Sequence, residues 1–286
     1  MNPSELDAVF ERNHALVERF TMLIKPQLRS IFDRLLEVRE IPGDAIEFGA
    51  WQGATSFFLA LCIRDLGLKK KVWMLDSFRG LPEPDPALDG PFRAGSMAAS
   101  LEAVTRMRSQ LGLDRVVEIR AGWFEESLAR LPTDARFCLA HLDADVYRGT
   151  RTALEYLVPR LSERGAVVLD DCLFHGATGV IQAADEVLGA DAHLHLGPKT
   201  QAFVFPKGDP WPDRPAPIWK SLGGHRYDVA ELLTRRDYRE LVEWEAEFCR
   251  SRARWYEQYV EEVLGGAEPG AESHKVTSTI GFARRA

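Results

Sequence analysis

No stretch of this chain approaches the roughly 18–20 consecutive apolar residues of a membrane-spanning helix, so no membrane partner is expected. The opening "MNPSELDAVFERNHALVERF" is charged throughout and lacks the apolar core of a signal peptide, which points to a cytoplasmic protein. Cysteine is sparse: Cys62, Cys138, Cys172 and Cys249 are widely scattered and form no CxxC pair. That excludes a cysteine zinc site and a disulfide framework, and leaves buried thiols as the expectation. Positive charge is also in deficit. A net charge of −7 argues against a general nucleic-acid binder.

What the chain has is enough apolar residue, 45% of 286, to bury a substantial core. Residues 4–40 read as helical, with apolar positions such as Leu6, Val9, Phe10, Leu28, Ile31, Phe32, Leu35 and Leu36 at spacings of three and four. Pro26 is placed to open a second helix, where its missing N–H costs nothing, and "IPGD" ends the pattern.

From Asp44 the rhythm changes. Strand candidates "AIEFGA", "KKVWMLDSF", "DRVVEIRAG", "RFCLAHLDAD" and "GAVVLDD" alternate with helical stretches, including one near 97–112, "TRTALEYLVPRL" and one near 178–190. Continuous apolar strands alternating with helices predict an α/β fold with a parallel sheet covered on both faces. "AHLHLG" and "QAFVFPK", three residues apart, predict an antiparallel hairpin at the end of that sheet. The expected organisation is an N-terminal helical cap over 1–42, a core over 43–207, a loop and helical extension over 208–264, and a flexible tail over 265–286. The loop "RGLPEPDPALDGPF" has no apolar rhythm and is long enough to act as a lid. The N-terminal helices are placed either to cover the site or to join two copies of the chain.

Chemistry collects at the strand ends. In "IEFGAWQGAT", Gly49 follows a strand and Gly53 opens a helix, as a ligand lying over bare backbone would need. Glu47, just before the turn, is positioned to accept from a ligand amine. Without the third glycine of G-x-G-x-x-G, a dinucleotide is disfavoured. Asp76 closes the second strand, where an acid either takes both hydroxyls of a ribose or caps its own turn with help from Ser77.

Asp143 and Asp170 both stand where an apolar strand gives out, with one crossover helix between them. Neighbouring strands put such ends roughly 4.8 Å apart, where two carboxylates share either a proton or a cation. Asp171 adds a third oxygen donor, and an all-oxygen set suits Mg²⁺. The alternative is that these acids are solvated turn residues. Asp145 would point away from Asp143 if the strand continued, which leaves it a turn residue or an auxiliary base. His175, in the loop beyond, is a second candidate base near neutral pH. His141 reads as structural, as do His193 and His195. Tyr147, Trp51 and Trp123 sit near the presumed ligand loops and contact a ligand or the core.

With these residues in view, the chain resembles the macrocin O-methyltransferase (TylF-like) family of class I S-adenosylmethionine-dependent methyltransferases. The stretches that carry the likeness are "IEFGAWQGAT", "VWMLDSFRGLPEPD", "AGWFEESLARLP", "LAHLDADVYRGTRTALEYLVPRLSERGAVVLDDC" and "GVIQAADEVL", together spanning about residues 44–206. The resemblance implies a Rossmann-like seven-stranded, mostly parallel sheet whose last strand is antiparallel. It also implies Mg²⁺-dependent methylation of a hydroxyl on a small molecule, often a natural-product sugar. By motif, Glu47, Gly49 and Gly53 would line the methionine part of the donor, with Ala50 and Trp51 in the same turn. Asp76 would hold the ribose, with Ser77 beside it. Gly122, Trp123 and Phe124 would lie near the adenine. Asp143, Asp170 and Asp171 would hold the metal, with Asp143 also against the donor. The chain departs from the family pattern at His141, where Arg is usual, and at Ala144, where Gly is usual; nothing beyond Pro206 matches. Two other readings stand beside this one: a metal-independent or N-directed methyltransferase, and a non-catalytic nucleoside-binding or scaffold protein.

Overall fold

Asn2 starts the chain's first helix with a reciprocal cap: its side chain accepts from Glu5 N at 3.0 Å, and Glu5 returns the bond to Asn2 N at 2.8 Å. This helix, α1 (Pro3–Val17), is followed by α2 (Lys25–Val38), which Pro26 opens as expected. The computed structural model describes residues 1–172, 177–189 and 194–208. The expected extension and tail lie outside the described residues, as do His175, His193 and Cys249.

Strands and helices then alternate: β1 (Asp44–Phe48), α3 (Ala54–Asp65), β2 (Val72–Asp76), α4 (Leu101–Gln110), β3 (Val117–Ala121), α5 (Phe124–Ser127), β4 (Phe137–Leu142), α6 (Tyr147–Leu157), β5 (Leu161–Leu169), α7 (Gly179–Leu188), β6 (Leu194–Leu196) and β7 (Ala202–Val204). They form one seven-stranded sheet in the order β3-β2-β1-β4-β5-β7-β6. Pairings from β3 through to β5 are parallel, whereas β7 runs antiparallel to both β5 and β6. The fold is therefore a Rossmann-like α/β sheet, with the expected hairpin at its end. Helix α4 is shorter than the sequence pattern suggested, because Ser100 caps it by accepting from Ala103 N.

The parallel strands are buried on both faces, and their alternation splits the core in two. Ala45, Val72, Met74, Leu139, Ala166 and Val168 join Phe10, Phe32, Phe57 and Phe58 on the side covered by α1, α2 and α3. Ile46, Phe48, Trp73, Leu75, Ala140, Leu142, Val167 and Leu169 face α6 and α7 through Leu154, Leu157, Val180 and Ile181. A buried leucine or phenylalanine of this kind contributes roughly 1.5–3 kcal/mol. Two such layers hold the strand ends rigidly in register. Among the described residues no helix is long and apolar enough to cross a membrane.

The strand order places β2 and β3 on one side of β1, and β4 and β5 on the other. A crevice between loops that depart in opposite directions forms at such a switch point, outside the carboxyl ends of the strands.

Candidate active site

Ladder bonding runs one rung past the strands on this rim. Gly49 N donates to Leu75 O at 2.9 Å, Gly122 N to Asp76 O at 2.9 Å, Asp143 N to Phe48 O at 2.9 Å and Asp170 N to Leu142 O at 2.8 Å. Immediately beyond, four non-glycine residues adopt positive φ: Trp51 (48°), Phe78 (56°), Asp145 (58°) and Asp171 (49°). Such conformations cost free energy and gather where a site requires a particular backbone path. Here they follow β1, β2, β4 and β5, four neighbours around the switch point.

The first turn is set by close packing. A Cβ on Gly49 (φ 83°) would lie 1.9 Å from Asp143 O, and one on Gly53 (φ 82°) would meet Met74 and Phe57 at 2.9 Å. The protein's own neighbours therefore already require glycine at both positions, whatever lies over the turn. Glu47 is buried. Its Oε2 accepts from Ser56 Oγ, and its Oε1 lies 3.0 Å from His141 Nδ1.

Asp76 accepts at one oxygen from Trp51 N (2.7 Å) and at the other from Phe78 N (2.6 Å). It therefore clamps the β1–α3 turn to its own turn, with the Ala50 backbone also bonded to the carboxylate. Burial pushes its carboxyl up to about 6. Ser77 accepts from Arg79 N and donates to Gly80 O, a local turn bond. Beyond β3, Gly122 (φ 131°) leads into Trp123, which precedes α5, and Phe124 packs edge-on against Phe48 with ring centres 5.4 Å apart.

Acids fill the other half of the rim. β4 and β5 are neighbours, with Leu142 opposite Leu169, so Asp143 and Asp170 leave adjacent strands side by side. Ligand atoms of Asp143, Asp145 and Asp171 lie within 4.8 Å of one another, and so do those of His141, Asp143 and Asp170. Asp143 belongs to both groups. The expectation that Asp145 points away from Asp143 is overturned. Residues two apart in a strand share a face, so alternation gives no reason to separate Asp145 from Asp143, and the left-handed turn at Asp145 sets its carboxylate beside Asp171.

Burial, then Asp170 and the other acids, raises the Asp143 carboxyl well above the usual carboxylate range; burial and then Asp171 do the same for Asp145. Asp170 is raised by burial and Asp171 and drawn back by His141 and Lys199. His141 is fully buried in β4. Among the described residues its Nε2 has no hydrogen-bond partner, and it stands 4.0 Å from Asp170 Oδ2. Burial pushes the neighbouring Cys172 thiol up to about 12, which excludes a thiolate nucleophile there. An all-oxygen cluster whose members raise one another's pKa fits a hard divalent cation.

Three contributors were missed in the sequence. Buried Gln27 on α2 donates to Asp170 Oδ1 at 3.0 Å, and Thr200 in the β6–β7 turn donates to Asp171 Oδ1 at 3.2 Å. Asp89, buried within the expected lid, accepts from Tyr147 N at 2.7 Å and from Asp85 N at 2.7 Å. It caps α6 from another segment, and a Cβ on Gly179 would lie 2.1 Å from its Oδ1. A partial signal for Gln27 was the polar row Gln27, Ser30 and Arg34 on a helix face that is otherwise apolar.

With this geometry in place, the likeness to known proteins is specific. The sequence model described as macrocin-O-methyltransferase (TylF) matches residues 18–189. Over 140 residues the chain is 39% identical to the 8-demethyl-8-(2,3-dimethoxy-alpha-L-rhamnosyl)-tetracenomycin-C 4'-O-methyltransferase of Streptomyces olivaceus, covering 46% of this chain and 53% of that protein. It is 31% identical to the demethyldecarbamoylnovobiocin O-methyltransferase of Streptomyces niveus, with the same coverage. The chain thus spans about half the length of the curated relatives it matches. Among solved structures, the O-methyltransferase NovP superposes with a TM-score of 0.59 at 22% identity, covering 70% of this chain and 97% of that one. The likeness supports the same fold.

Proposed function

The chain belongs to the macrocin-O-methyltransferase (TylF) family, and from that premise we propose that it methylates a hydroxyl of a small natural-product molecule, on a sugar, with S-adenosylmethionine as donor. The observation that carries the reading is the acidic rim: Asp143, Asp145, Asp170 and Asp171 gathered at the ends of β4 and β5, against the turn that follows β1. The sugar acceptor rests on the relatives, one of which is named for a 4'-O-methylation on a rhamnosyl tetracenomycin.

In this reading Glu47, Gly49, Ala50, Trp51 and Gly53 border the methionine part of the donor. Asp76 accepts from the ribose hydroxyls, with Ser77 shaping its turn, and Gly122, Trp123 and Phe124 border the adenine. Asp143, Asp170 and Asp171 hold a divalent cation, Mg²⁺ by their oxygen chemistry. When bound, that cation supplies positive charge beside the acceptor hydroxyl and eases loss of its proton. The donor, when bound, supplies a methyl group activated on a sulfonium.

The residues themselves align and deprotonate. The acceptor oxygen forms its bond to the methyl carbon as the carbon–sulfur bond breaks, and the electron pair stays on sulfur. Asp145 accepts the hydroxyl proton. Burial, then Asp171, raises its carboxyl above the usual carboxylate range, the direction that makes a carboxylate a stronger base. Alignment accounts for most of the rate enhancement, since the donor is already activated.

The test is transfer of labelled methyl from S-adenosylmethionine to a panel of rhamnosylated and related glycosylated aglycones. Transfer should stop with EDTA, return with Mg²⁺, and be absent in Asp143→Asn. Transfer that is indifferent to EDTA and to Asp143→Asn would remove the cation and leave a metal-independent methyltransferase.

A further inference from the structure

The buried acid of the rim, Asp170, is held from helix α2. Gln27 Nε2 donates to Asp170 Oδ1 at 3.0 Å, while Oε1 of the same carboxamide accepts from Ile24 N at 3.1 Å. One end of the amide faces a carboxylate and the other faces an N–H, so its orientation is determined. Both side chains are almost fully buried. Helix α2 is tied to the sheet edge through Ser30, whose Oγ lies 2.8 Å from Gln27 O and 2.6 Å from Gln201 Oε1.

What Gln27 leaves undone matters as much. It pins Oδ1, which also accepts from Asp171 N at 3.1 Å. Among the described residues no hydrogen bond reaches Oδ2, since His141 Nε2 stands off at 4.0 Å. A lysine or arginine at position 27 would neutralise the acid and take a cation's place. A carboxamide fixes the carboxylate and leaves its charge intact. One oxygen tethered by a neutral donor and the other uncommitted is the arrangement of a pre-oriented ligand, and outer partners of this kind tune cation affinity.

We infer that Gln27 is a positioning residue for the divalent cation, acting through Asp170 and making helix α2 part of the cation site. The inference rests on the cation reading above and deepens it.

The test is titration of Mn²⁺ into the full chain, read by the loss of free-Mn²⁺ resonance, for the wild type, Gln27→Met and Ser30→Ala. Gln27→Met preserves length and burial and removes the donor. It should bind Mn²⁺ about 10–100-fold more weakly, with the affinity for S-adenosylhomocysteine unchanged. Ser30→Ala loosens the same helix without touching Asp170 and should bind Mn²⁺ as the wild type does. Wild-type Mn²⁺ affinity in Gln27→Met, or an equal loss in Ser30→Ala, overturns the inference while the cation reading stands. A wild type that binds no Mn²⁺ overturns both. A measurement on the unaltered chain covers a variant that does not fold: the Gln27 side-chain amide resonance should shift on addition of Mg²⁺, with the midpoint of cation binding. An amide signal indifferent to saturating Mg²⁺ also overturns the inference.

Discussion

Replacing Asp145 with Asn should stabilise the cation-free protein. Its carboxylate lies with those of Asp143 and Asp171 in a group whose ligand atoms are within 4.8 Å of one another. At an effective dielectric constant of about 20, two ionised groups at that separation repel by about 3.5 kcal/mol. Proton uptake caps that cost, because the raised carboxyls of Asp143 and Asp145 bind protons rather than bear full repulsion. A net gain of about 1–3 kcal/mol remains at pH 8 for Asp145→Asn, or about 3–10 °C in melting temperature for a domain near 200 residues. The sign with pH follows from the direction of the shift. A carboxyl raised in the folded state contributes stability at low pH and loses it as pH rises through the folded value. The gain should therefore be largest at pH 8 and fade towards pH 4. Differential scanning calorimetry in EDTA across that range reads it. Saturating Mg²⁺ should reverse the order, since the wild type gains binding free energy that the variant forfeits in part. A variant that melts below the wild type at pH 8 in EDTA would refute the repulsion argument.

Gly49→Ala puts a Cβ 1.9 Å from Asp143 O at a positive φ, and backbone cannot yield as a side chain does. It should cost at least about 3 kcal/mol by denaturant titration, and a loss below about 1 kcal/mol would contradict the packing described. Asp89→Ala leaves the amides of Tyr147 and Asp85 without their acceptor, at a cost of about 2–3 kcal/mol. Hydrogen exchange should rise in residues 81–98 and in the first turn of α6 ahead of the rest of the sheet; uniform exchange would show that Asp89 does not anchor the loop. Asp76, raised to about 6 by burial, contributes stability below about pH 4 that is lost through pH 6. The stability difference between Asp76→Asn and the wild type should therefore move in the variant's favour by up to about 3 kcal/mol between pH 4 and pH 8. A pH-independent difference would sink this account of Asp76.

Periodicity and strand-end residues made much of this legible before any coordinates. The continuous apolar runs at 72–75, 137–140 and 165–169 announced buried parallel strands, since a strand covered on both faces has no polar side to show. Asp143 and Asp170 could be paired because only a crossover separates them. Asp145 was misread because alternation was applied one residue out of step: positions 143 and 145 share a face, and the left-handed backbone that sets Asp145 beside Asp171 is invisible in a string of letters. Gln27, Asp89 and Thr200 were missed for a related reason. Their partners lie 143, 58 and 29 residues away, and polar contacts at those separations leave no local period.

The most direct test of the central claim is a crystal structure of the full chain grown with S-adenosylhomocysteine and saturating Mg²⁺ near pH 8. The account predicts adenosine density over the ends of β1, β2 and β3, with the ribose on Asp76. It also predicts one octahedral ion about 2.1 Å from oxygens of Asp143, Asp170 and Asp171. Nucleoside density with the acids hydrogen-bonded to one another and no ion between them would contradict it.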